Sequence, residues 1–187
     1  MLDSRGERTE TALVGAFVTL MFRDGFENIS VQGIAAEAGM ARSTFYEHFS
    51  GKDDVLRASM AHLLAPLADC VTGEDQPPEV QMVLGHMWEN RRLADAVFTG
   101  ASRKIVALSL CEMIEARFRQ ADACKSLILP LRLAAIQLAE AQLALVESWL
   151  RGRAFARAED LAAALHRTSR ASIVALRSSA CGEPLSS

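Results

Sequence analysis

Between positions 42 and 52 the chain gathers Arg42, Ser43, Thr44, Tyr46, His48 and Lys52, with Ser30 a short way upstream. A fixed cation, short hydroxyls and a phenol are groups that suit guanine edges, thymine methyls and phosphate oxygens. At helical spacing Phe45 and Phe49 stand i, i+4 and turn to one side. That leaves Arg42, Ser43, Thr44, Tyr46 and His48 facing outward or along the rim. No comparable set elsewhere points to catalysis. There is no histidine pair at metal spacing, no Gly-rich phosphate loop and no nucleophile with a base, so neither an enzyme, a metal nor a cofactor is expected.

The elements that hold these residues are short. Leu13, Ala16, Phe17, Leu20 and Met21 follow the i, i+3, i+4, i+7, i+8 rule and predict an amphipathic helix ending at Gly25. Ser30 is placed to cap a helix over Val31–Ala38 as a plain cap, since Gly33 stands where a capping box needs Glu or Gln. Gly39 suits the left-handed residue of a tight turn, after which Ala41–Phe49 restarts as a helix. Two helices joined through a Gly-containing turn make a helix-turn-helix, whose second helix fits the major groove. Ala35 and Ala38 allow close approach, and Ile34, Met40, Phe45 and Phe49 form the apolar wedge. Ser50-Gly51 breaks the chain again. Asp53 and Asp54 then fall in the first turn of a helix running towards Val71, which Pro66 should kink or end early.

Composition agrees with helices throughout. Alanine fills 31 of 187 positions and half the residues are apolar, which favours helix and a sizeable core over strand or disorder. Charge is the counterweight. Residues 1–60 hold six basic and nine acidic groups and the whole chain carries −3, so no broad basic field advertises nucleic acid. Cysteines stand at 70, 111, 124 and 181 without C-x-x-C spacing, which argues against a zinc cluster or disulfide framework and for a reducing cytoplasm. The longest run free of Asp, Glu, Lys and Arg is Thr11–Phe22, too short to span a membrane, and the first ten residues do not resemble a signal peptide. No membrane partner is expected.

The run Ile34-Ala35-Ala36-Glu37-Ala38-Gly39-Met40-Ala41-Arg42-Ser43-Thr44-Phe45-Tyr46-Glu47-His48-Phe49, followed by Lys52 and Leu56, resembles the DNA-binding signature of the TetR/AcrR family of transcriptional regulators. Gly25-Phe26 and Ser30 stand where that family keeps a Gly-aromatic pair and a Thr/Ser cap. The resemblance covers about residues 10–57. It implies an all-α homodimer with a helix-turn-helix domain over 1–51 that reads a palindromic operator. A helical domain over 52–187 would bind a small molecule and dimerise. It further implies that Ser30 caps the second helix and touches phosphate, and that Arg42, Ser43 and Thr44 open the recognition helix. Tyr46 and His48 would contact backbone or base edges, and Lys52 phosphate. Three positions depart from the pattern. Ala41 replaces a capping Ser, Ser43 a frequent Gly, and Glu47 puts a negative charge near the groove.

Beyond the Gly73–Pro78 break, helical patterns run over roughly 79–89, 92–98, 102–121, 127–151 and 157–177. His86, Trp88, Phe98, Met113 and Phe118 are candidates to line an apolar effector pocket, against the commoner role of core filler. The stretch 127–150 is apolar nearly all round and needs cover on both sides, one side expected from a second subunit. Leu131, Leu138, Gln142, Leu145 and Trp149 meeting Leu161, Leu165, Thr168, Ser172 and Leu176 would give a four-helix seam across a two-fold axis. The rival is that both helices only close the subunit's own core. Arg151, Arg153 and Arg157 read as helix-end charge, a Cys111–Cys124 redox pair competes with inert buried thiols, and the tail after Arg177 reads as loose. The expected function is a ligand-released transcriptional regulator, a repressor by preference. The alternative is a helical binding or oligomerisation module without DNA recognition.

Overall fold

The computed structural model describes residues 4–73, 75–121 and 127–177. Among these, nine α-helices account for nearly all the regular structure: α1 (Ser4–Asp24), α2 (Val31–Glu37), α3 (Arg42–His48), α4 (Lys52–Asp69), α5 (Pro78–Glu89), α6 (Arg91–Val97), α7 (Gly100–Gln120), α8 (Leu131–Leu150) and α9 (Ala158–Leu176). A 3₁₀ turn, Phe26–Asn28, joins α1 to α2. The all-α class expected from composition is what the chain adopts. None of these helices is long and apolar enough to cross a membrane. Cys124, Cys181 and the tail beyond Arg177 lie outside the described residues.

Helices α1 to α3 close on a small apolar centre. Leu13, Phe17 and Leu20 from α1, Ile34 from α2, and Phe45 and Phe49 from α3 are all buried. Val55 and Leu56 continue this core into α4, which packs along α7; α7 in turn lies along α8. α4 is therefore the shaft connecting the N-terminal trio to the rest. Pro66 does not end it. The helix runs on to Asp69 with Pro66 buried inside it, because packing of Leu64, Leu67 and Ala68 outweighs the one helical bond a proline removes.

On α8 the two faces differ from the seven-residue spacing read off the sequence. Leu138, Gln142 and Trp149 point into the subunit's own core and Leu131 is half-buried, whereas Leu133, Ile136 and Leu145 stay exposed. A strict heptad drifts by about 20° per repeat on a straight helix, so residues seven apart need not share a face. Gln142 Nε2 donates to Leu67 O (3.0 Å) and Ser169 Oγ (2.9 Å), which fixes that side chain between α4 and α9. Trp149 Nε1 donates to Ala156 O (2.9 Å). Leu161, Leu165 and Leu176 are likewise buried within the chain, while Thr168 is exposed and Ser172 half-buried. The seam expected through Leu138, Gln142, Trp149 and Leu165 is thus internal packing.

Candidate nucleic-acid interface

Local chemistry builds the α2–α3 pair. Ser30 has extended backbone and its Oγ accepts the Gly33 amide at 3.0 Å, the plain cap that its position predicts. α2 ends in a Schellman motif: the Met40 amide donates to Ala35 O (2.8 Å) and the Gly39 amide to Ala36 O (3.0 Å). Gly39 holds φ +67°, a conformation that side chains with a Cβ rarely adopt. After the four-residue turn Ala38–Ala41, α3 begins with Ala41 at its N-cap and no side-chain cap, as the missing hydroxyl dictates. Phe45 is fully buried and packs edge-on to Tyr46 and tilted against Phe49, so the inner face of α3 is anchored.

The outer face is what remains. Arg42, Ser43, Tyr46 and Glu47 are exposed, and Thr44 is half-buried at the rim. Arg42 donates to the Tyr46 hydroxyl at 3.1 Å, with its guanidinium carbon 5.5 Å from the ring centroid. The two side chains therefore form one unit one helical turn apart. His48 Nδ1 lies 3.3 Å from Glu10 Oε1 of α1, which gives this histidine a local partner. Lys52 is turned away from the outer face. Its Nζ donates to Phe26 O (2.9 Å) and approaches Glu27 O (3.4 Å), and it sits 4.5 Å from the Phe26 ring centroid. Two of its three N–H groups thus serve the fold, leaving one for an outside acceptor.

The acidic balance is partly absorbed locally. Arg23 pairs with Asp24 (3.1 Å) and Glu37 (3.3 Å), and Asp54 accepts from the Ser50 amide (3.1 Å) and hydroxyl. Glu10 and Glu27 were not singled out from sequence. Their partners lie 38 and 74 residues away, beyond the reach of any local pattern.

In the C-terminal half, a cavity of about 50 Å³ is lined by residues of α4, α5 and α6 together with Phe98. His86 and Phe98 are brought to it, alongside Met60, Leu63 and Asn90. Trp88, Met113 and Phe118 are not. Trp88 stacks on Trp149 with centroids 4.8 Å apart, Phe118 is buried in the core, and Met113 packs half-buried against it. The volume suffices for a water or two and falls well below the roughly 300 Å³ of a typical small-molecule site. Cys70 and Cys111 are buried free thiols. Burial, aided by Asp69, pushes the Cys70 thiol up to about 12, and burial also raises Cys111, so both stay protonated and unreactive.

A sequence profile described as "Bacterial regulatory proteins, tetR family" matches residues 14–59, the span from the middle of α1 into α4. Residues 14–59 are thus similar to the helix-turn-helix segment of TetR-family regulators. An uncharacterized HTH-type transcriptional regulator of Haemophilus influenzae is 44% identical over 50 residues, covering 26% of this chain and 24% of that protein. The DNA-binding transcriptional repressor TetR of Mycobacteroides abscessus is 30% identical over 57 residues, 30% of each chain. The chain thus matches less than a third of the length of these relatives. Over the whole fold, a TetR transcriptional regulator from Streptococcus agalactiae superposes with a TM-score of 0.54 at 20% identity, covering 90% of this chain and 97% of that one. The helical architecture is shared at that level over most of the chain.

Proposed function

We propose that this chain is a cytoplasmic, ligand-responsive transcriptional regulator of the TetR family that acts as a homodimeric repressor. The observation that carries the reading is the Arg42–Tyr46 unit, exposed on a helix whose opposite face is locked by Phe45 and Phe49. Residues 1–51 would read a palindromic operator and residues 52–187 would dimerise and take the effector. Arg42, Ser43 and Thr44 enter the groove at the start of α3, and Tyr46 donates its phenolic proton to a phosphate while accepting from Arg42. Ser30 and the remaining proton of Lys52 add phosphate contacts, and His48 meets the backbone from the end of α3.

The second copy covers the exposed apolar side chains Leu133, Ile136 and Leu145 of α8 and Val174 of α9. An apolar effector enters between α4, α5 and α6, next to His86 and Phe98. Only Phe49–Gly51 separates α3 from α4, so a displaced α4 carries α3 with it. In a dimer, both recognition helices must meet half-sites one helical turn apart, about 34 Å, or a multiple of it. A small pivot disengages both.

Fluorescence anisotropy on duplexes from the chain's own upstream region tests the reading. Saturable, sequence-dependent binding is expected, weakened about tenfold or more by Arg42→Ala. Tyr46→Phe, which removes an uncharged hydrogen bond to phosphate, should weaken binding by up to about tenfold and leave the slope of log affinity against log salt nearly unchanged. Binding that is absent at low salt, or indifferent to Arg42→Ala, would return the chain to a helical oligomerisation module without DNA recognition.

A further inference from the structure

Helix α7 begins without a cap of its own. Thr99 holds the N-cap position in extended conformation, yet its hydroxyl donates backwards to Ala96 O (3.0 Å). The Ser102 hydroxyl also points back, donating to Thr99 O at 2.7 Å. The first amides of a helix have no intrahelical acceptor, so one must come from outside. It comes from the N-terminal trio: Glu27 Oε1 accepts the Ala101 amide at 3.3 Å, across 74 residues of sequence. A carboxylate is well placed there, against the positive end of a 21-residue helix. Gly100 makes the approach possible. It holds φ +58°, and a Cβ at that position would stand 3.3 Å from Glu27 Oε1.

The same 3₁₀ turn is tied in the other direction. Its carbonyls at Phe26 and Glu27 receive Lys52 Nζ, and Lys52 is the first residue of α4. Val97 and Phe98, immediately before the Thr99–Gly100 entry to α7, line the cavity between α4, α5 and α6. Cavity wall, α7 start, 3₁₀ turn and α4 start therefore form one contiguous chain of contacts.

We propose that Glu27 is the positioning residue that couples this cavity to α3, by lending α7 its N-terminal cap from the DNA-reading module. Outward movement of Val97 and Phe98 withdraws the Ala101 amide from the carboxylate. It thereby frees the 3₁₀ turn and, through Lys52, changes the angle at which α4 carries α3. The coupling rests on the regulator reading above; the cap does not.

Amide hydrogen exchange on the full chain separates the two. Glu27→Ala should speed exchange at Ala101 and Ser102 by about tenfold while the Gly33 amide, held by Ser30, exchanges as in wild type. Glu27→Gln, which keeps a weaker acceptor, should fall between. Equal exchange at Ala101 in wild type and Glu27→Ala overturns the cap. A duplex selected from a random library by the wild-type protein supplies the second arm. Linkage requires that this DNA slow exchange at Ala101 in wild type and not in Glu27→Ala. Tight DNA binding that leaves Ala101 unchanged in wild type overturns the coupling. Failure of the wild type to select any duplex removes the regulator reading and the coupling together, while the exchange difference still decides the cap.

Discussion

Arg42 and Tyr46 meet across one helical turn, and the pairing settles which proton each group can give away. The phenol oxygen is occupied as an acceptor, so its own hydrogen is directed outward, and the guanidinium keeps further donors for a base edge or phosphate. Ser30 works differently, by satisfying an amide that would otherwise be an orphan. Ser30→Ala is expected to lower stability by about 1 kcal/mol, roughly 2–4 °C in a thermal melt followed by circular dichroism. Ser30, Gly39 and Ala41 were legible from the sequence because caps and turns depend on residues within three or four positions. Lys52 was legible only as a cation near the interface. Its carbonyl partners at Phe26 and Glu27 come from a turn some 25 residues away, and nothing local announces them.

At the level of helices, α3 has seven residues, too few to persist alone, and it stands because Phe45 and Phe49 are buried where it packs on α2 and α1. The wedge was readable from i, i+4 spacing. The facing of α8 was not, since a helix apolar on most sides offers no single stripe, and only the positions of α4, α7 and α9 select which leucines go inside. Where α7 meets α8, Glu115 is buried between Arg132 (3.0 Å) and Arg119 (2.5 Å). Burial alone would raise its carboxyl, but the two guanidinium bonds outweigh it and hold the group below its ordinary 4.5. A depressed carboxylate stabilises the fold above its unfolded value, and that contribution disappears as pH falls through the folded value. Glu115→Gln should therefore melt several degrees below wild type near neutrality, with the gap closing under acid below pH 4.5. A gap that persists into acid would mean the side chain stabilises by packing rather than by charge.

For the molecule as a whole, the exposed strip on α8 makes a statement about assembly. Leu133 and Ile136 are 52% and 38% exposed, large apolar groups next to each other on one helix. On the dimer proposal, Leu133→Lys with Ile136→Lys should shift sedimentation from dimer to monomer and leave the helical circular dichroism unchanged, since neither residue serves the subunit's own core. A wild type that sediments as a monomer at all concentrations would remove the proposal. The fold class was legible from alanine content and periodicity. The cavity proposed for an effector was not, because apolar side chains at helical spacing look alike whether they wall a cavity or fill one. On the proposal that an effector enters the cavity of α4, α5 and α6, its volume of about 50 Å³ sets the terms of entry. A guest of ordinary size must prise the surrounding helices apart, so its measured affinity is the attraction of the contacts minus the work of opening. Tolerance of varied guest shapes and a modest hold on each of them would then have a common origin, a lock that has to be forced before it can be filled.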